Sequence, residues 1–238
     1  MRLHPLLKSL AAITSLCVML AGGQAHAALT TITTTGTIDA GYDTSGVFGS
    51  AGADLTGLSY SQAITVDATL YANQLGSGHC GFPCNIRRGT LTGTATNTVT
   101  VGSVTQMFTW DLSRYHYGQT YLANGLSMSS YSEDQIIQYQ EGFTSNGSYL
   151  SALANVYSYT NAFGISLSFD QSAFYTLQPG DFEQTYFSLS GTDSAYFQDY
   201  LPATISINGG NVPEPATLAL FALALVGAGL TRRRKGAL

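Results

Sequence analysis

Residues 63–72 read AITVDATLYA. Ile64, Val66, Ala68 and Leu70 alternate with Thr65, Asp67, Thr69 and Tyr71. A period of two puts the apolar set on one face of an extended chain and the polar set on the other, the pattern of a half-buried strand. The same chemistry continues outward. Residues 30–39 (TTITTTGTID) are rich in β-branched side chains and read as a strand. Residues 90–110 hold enough Thr and Val for two strands, with a break near Gly102-Ser103. Residues 149–159, 164–169, 185–189 and 203–207 are further strands. Asn146-Gly147, Pro179-Gly180-Asp181 and Gly191-Thr192-Asp193 punctuate them as turns. Many short strands with such punctuation predict an all-β fold, an antiparallel, jelly-roll-like β-sandwich. One helix is expected, over residues 132–141 (SEDQIIQYQE), with Ser132 as its cap and acids in its first turn. No internal repeat is visible.

Both ends of the chain read as targeting segments outside this fold. Residues 1–27 carry Arg2 and Lys8, an apolar stretch over 10–23, and Ala25-His26-Ala27, a small-residue cleavage site. That order is a secretory signal peptide, read by the Sec machinery and removed by signal peptidase; an uncleaved anchor is the alternative. Cys17 would be lost with it. Residues 212–238 read VPEPATLALFALALVGAGLTRRRKGAL. Pro213 and Pro215 hold the chain extended. The apolar run 216–230 can enter a bilayer as a short transmembrane helix, and Arg232, Arg233, Arg234 and Lys235 stay on the cytoplasmic side as a stop-transfer cluster. Fifteen residues at about 1.5 Å each span roughly 22 Å, short of a hydrocarbon core of about 30 Å. A temporary anchor suits that length better than a permanent one.

Residues 28–211 are then one domain, long enough for a buried core. It holds 3 basic residues, Arg87, Arg88 and Arg114, against 13 acidic ones, a formal charge of −10. Such a surface repels phosphate backbones, which argues against nucleic-acid binding, and it can attract divalent cations.

The tail supports a resemblance. Val212-Pro213-Glu214-Pro215, a short apolar helix and an Arg-rich end, in that order, resemble the PEP-CTERM sorting signal of Gram-negative bacteria. The resemblance implies recognition and cleavage by exosortase, passage through the inner membrane, and release to the cell surface or extracellular matrix beside exopolysaccharide. A second stretch is similar to a segment near the N-terminus of many PEP-CTERM proteins: D-x-x-G-x-F-G followed by G-x-x-L-x-G, here Asp43, Gly46, Phe48, Gly49, Gly52, Leu55 and Gly57. Its glycines permit tight turns, and Val47, Phe48 and Leu55 are expected to plug a long loop onto the sandwich. The alternative is a calcium loop built on Asp39, Asp43 and Asp54, although the spacing is not that of an EF-hand.

Chemistry-bearing motifs are sparse. Cys80 and Cys84 are expected to form a disulfide in an oxidising compartment; a metal site with His79 is the weaker reading. H-E-x-x-H, G-x-S-x-G and a phosphate-binding glycine loop are absent from the sequence. His116 could join a distant Ser and Asp, and Asp181 with Glu183, or Asp134 with Glu141, could pair as glycosidase carboxylates. Solvated loop acids are the plainer reading. Aromatics are abundant, and Trp110, Tyr115, Tyr117 and Tyr121 cluster as candidates for stacking on sugar rings. The expectation is a non-enzymatic surface or matrix protein without metal or cofactor, with a lectin-like carbohydrate-binding module as the alternative.

Overall fold

The computed structural model describes residues 29–75, 84–128, 131–158 and 168–208. In chain order the strands are β1 (Leu29–Thr37), β2 (Ala40–Asp43), β3 (Ala53–Asp54), β4 (Ser59–Asp67), β5 (Tyr71–Leu75), β6 (Cys84–Leu91), β7 (Ala95–Val101) and β8 (Val104–Thr109). They continue as β9 (His116–Met128), β10 (Tyr131–Phe143), β11 (Tyr149–Ser158), β12 (Ala173–Thr176), β13 (Phe182–Ser190), β14 (Ala195–Asp199) and β15 (Thr204–Ile207). Two antiparallel sheets form a sandwich. One has the order β12-β15-β1-β4-β7-β8, the other β3-β2-β14-β13-β11-β10-β9-β6-β5.

Alternation along the strands builds the core. Ile32, Ile64, Val66 and Val99 point inward from the six-stranded sheet, and Leu122, Ile136, Leu150, Val156 and Leu189 from the nine-stranded one. Phe187 is the hub of the aromatic part. It stacks on Phe197 at 5.5 Å and meets Phe48 edge-on at 5.4 Å. Beyond Val66 the expected alternation stops. The buried Asp67 carboxylate accepts the Thr69 N–H at 3.0 Å and starts a 3-10 turn over Ala68–Leu70, which leaves Leu70 38% exposed. The break at Gly102-Ser103 is the hairpin turn between β7 and β8.

The helix expected over residues 132–141 is not formed. The segment lies within β10, hydrogen-bonded to β9 on one side and β11 on the other. Its period is two: Asp134, Ile136, Gln138 and Gln140 are buried, while Gln135, Ile137, Tyr139 and Glu141 face outward. The inward glutamines hide that period in the sequence. They are stabilised in the sandwich by a polar network in which Gln138 accepts from Thr120 at 2.7 Å and Gln140 donates to the Tyr71 hydroxyl. Two neighbouring strands outweigh a local capping signal, because the two ladders between them take up the backbone groups along the segment. The expected strand over 164–169 falls mostly outside the described residues; Phe169 sits in a turn and is buried.

The first turn of the loop between β2 and β4 is organised by the Asp43 side chain. The Asp43 carboxylate, fully buried, accepts N–H bonds from Gly46 (2.8 Å), Val47 (2.8 Å) and Phe48 (2.7 Å). Gly46 adopts φ +84°, a conformation costly for a residue with a Cβ. Phe48 and Leu55 are buried as expected and Val47 packs partly against them. Asp39 accepts the Tyr200 N–H and Asp54 the Thr56 N–H. The three acids of the calcium alternative thus each hold a different piece of backbone.

Candidate functional site

The outward faces of the two sheets differ in chemistry. On the six-stranded sheet one cross-strand row reads Thr176, Thr204, Thr35, Ser61, Thr100, Thr105. Within it Thr35 and Thr204 hydroxyls bond at 2.7 Å and those of Thr100 and Thr105 at 2.9 Å. The nine-stranded sheet is paved with tyrosine. One of its rows runs Tyr117, Glu141, Ser151, Ser188, Tyr196, Tyr42 across six strands. Tyr139 and Tyr186 lie in the next row.

Glu141 is the centre of the tyrosine face. Its carboxylate accepts from Tyr115 (2.8 Å), Tyr139 (2.6 Å) and Tyr149 (3.0 Å). Partial burial works to raise its pKa, but the donors Tyr139, Tyr115 and Tyr149 outweigh it, so Glu141 ionises below the usual carboxylate range. The phenols respond in the opposite sense. Burial and the bond to Glu141 push Tyr149 up to about 12, and the bond to Glu141 also raises Tyr115. The Tyr115 and Tyr149 rings are nearly parallel at 6.5 Å, and Phe143 meets Tyr149 edge-on at 5.4 Å. Arg114 sits 3.7 Å over the Phe143 ring. A network of hydroxyls continues through Ser151 to Tyr186 at 2.7 Å.

The four aromatics singled out in the sequence are divided between core and surface. Trp110 is 3% exposed, with its indole N–H donated to the Leu150 carbonyl. Tyr121 is 7% exposed, packed with Cys84 and Ala123. Neither offers a ring face to a sugar. Tyr115 is 57% exposed and Tyr117 half-buried, and both belong to the tyrosine face. Tyr139, Tyr149 and Glu141 complete it; the sequence reading offers Glu141 only as a partner of Asp134 and does not bring these three together. The signal was present: in a β9-β10-β11 hairpin series, residues two apart share a face, but reading β10 as a helix erased it.

The candidate carboxylate pairs also resolve. Asp134 and Glu141, seven residues apart on β10, lie on opposite faces of the sheet. Asp181 and Glu183 share the inward face and are both buried. Burial, then the charges of Asp181 and Asp199, push the Glu183 pKa up to about 8. His116 is buried with its ring 6.3 Å from that of Trp110, and burial pushes its pKa down. Cys84 is buried at the start of β6; Cys80 and His79 lie outside the described residues.

Comparison with known families places the export signal. The description PEP-CTERM protein-sorting motif matches residues 211–235. The chain carries a PEP-CTERM sorting motif. That segment, which contains Val212, Pro213, Glu214, Pro215 and Arg232 to Lys235, lies outside the described residues, as do Ala25 and Ala27. Among the described residues no helix is long and apolar enough to cross a membrane. The PEP-CTERM motif marks an exported protein, processed by exosortase, anchored transiently in the membrane and then extracellular. No curated protein and no solved structure matches the chain.

Proposed function

We propose that this PEP-CTERM chain is a non-enzymatic surface or matrix protein of a Gram-negative bacterium, delivered by Sec, trimmed by signal peptidase and embedded among exopolysaccharide. The observation that carries the reading is the pair of outward faces, one paved with threonine hydroxyls and the other with tyrosines. Both present hydroxyl groups to solvent with few charged side chains, which suits contact with hydrated, hydroxyl-rich polymer over wide areas. The test is fractionation of the producing cells with intact-mass measurement. The expected product lacks the tail and co-fractionates with surface polysaccharide. A surface-fraction chain still ending in Arg232-Arg233-Arg234-Lys235-Gly236-Ala237-Leu238 would refute the processing. Recovery of the processed chain free in the medium, with none bound to polysaccharide, would refute the matrix role.

A specific observation favours a second reading, a lectin-like module. Tyr115 is 57% exposed beside Tyr117 and Tyr149, and a fixed anionic acceptor lies among them. Aromatic faces with an adjacent carboxylate can stack on a sugar ring and accept its hydroxyls. Saturable binding of a defined oligosaccharide, lost in Tyr115→Ala, would select this reading over the diffuse one.

A further inference from the structure

At the end of the sandwich remote from the tyrosine cluster's Glu141, the 177–181 turn and the 201–203 segment line a half-open cavity of about 310 Å³. Asp181 and Glu183 line it. They are two residues apart at the leading end of β13, so both point inward. Asp181 is 9% exposed and Glu183 2%. One Asp181 oxygen is held by the Tyr175 hydroxyl at 2.6 Å and the Gln178 N–H at 2.8 Å. The Glu183 Oε2 atom is buried and has no hydrogen-bond partner. Asp199, paired with Thr185 on the neighbouring strand, adds a third inward carboxylate nearby. Among the described residues the arginines are engaged or directed elsewhere: Arg87 lies over Phe169, Arg114 over Phe143, and Arg88 is exposed. Like charges buried together without a counter-ion are strongly disfavoured.

We infer that this cavity binds a hard divalent cation, calcium in the exported compartment, with the carboxylates of Asp181 and Glu183 as its protein side-chain ligands. The donors are oxygen, which selects a hard ion over zinc or copper. Among the described residues no three His, Cys, Asp or Glu side chains are grouped around one point. Two carboxylates must therefore be completed by water and backbone carbonyls, and the cavity has room for several waters at about 30 Å³ each. A wet site of two carboxylates belongs to the weak class of extracellular modules, with Kd of about 0.1–1 mM. This site is independent of the sugar-contact reading, since it lies on the inward face of β13.

The test is a titration of the exported full domain, stripped with chelator, with calcium chloride at constant ionic strength. Ten millimolar calcium is expected to raise the melting temperature by about 4–7 °C. Glu183→Gln and Asp181→Asn should each remove the rise, whereas Asp170→Asn, at an exposed position, should keep it. Calorimetric titration of the wild-type protein should show one saturable site. Unchanged wild-type melting with no saturable heat overturns the inference, and so does an equal rise in Glu183→Gln. The calorimetry decides the matter even if both variants fail to fold.

Discussion

Replacing Asp43 by alanine removes the acceptor for three consecutive amides, those of Gly46, Val47 and Phe48. Hydrogen bonds to a charged group contribute about 1.5–3 kcal/mol each. Water can reach the half-buried Gly46 and Val47 and restore part of the loss there. The Phe48 amide is buried and stays unsatisfied, at about 1–3 kcal/mol. Phe48 also loses the tether that seats its ring on Phe187. The expected destabilisation is about 3–5 kcal/mol, or a melting temperature lower by roughly 8–15 °C. Asp43→Asn should fall between this and wild type. Its carbonyl can still accept from Gly46 and Val47, while its NH₂ opposes the Phe48 N–H. Denaturant unfolding of the exported protein measures the change, and hydrogen exchange localises it to the amides of residues 46–48. Asp54→Ala, which breaks an exposed turn bond to Thr56, is the control and should leave the unfolding midpoint nearly unchanged. A loss below about 1 kcal/mol for Asp43→Ala, or unchanged exchange at Phe48, would refute this account of the loop.

The Glu183 pKa is raised from 4.5 to about 8, so in chelator the native state keeps a proton that the unfolded chain releases. Stability should be highest below pH 4.5 with respect to this group, fall as pH rises toward 8, and level off above it. Glu183→Gln should flatten that slope and exceed wild type at pH 8 to 9 by about 2–4 kcal/mol, solvent in the cavity reducing the full effect; identical pH profiles would contradict it. Removing the charge at the tyrosine centre with Glu141→Gln should lower the pH at which Tyr115 ionises, seen in ultraviolet titration of the phenols; an unchanged titration would mean that the Tyr115–Glu141 bond is not formed in solution. Cys80 and Cys84 should resist alkylation in protein recovered outside the cytoplasm, and mass spectrometry showing two modified thiols would exclude the disulfide.

Legibility in the sequence followed how local each determinant is. Alternation over residues 63–67, the β-branched run of β1 and the Gly102-Ser103 turn are written in adjacent residues, because side-chain direction along a strand is a property of the strand alone. They determined the fold class. The tail is likewise local: Pro213-Glu214-Pro215, the apolar run and the arginines are read in order by the export machinery, whatever the domain does. β10 was not legible. Asp134, Gln138 and Gln140 are polar residues that face inward, and for the two glutamines it is Tyr71 and Thr120, brought from β5 and β9, that satisfy them there. The same holds for the surface. Trp110 and Tyr115 are equal candidates in sequence, yet one is covered by the opposing strands and the other is exposed, since burial depends on what the fold lays across a side chain. Local alternation puts Tyr139 with Glu141 and Asp181 with Glu183 on one face each; bringing Tyr115 and Tyr149 to Glu141, and the 201–203 segment to the Asp181–Glu183 cavity, was decided by how separate strands pair, which no local pattern encodes.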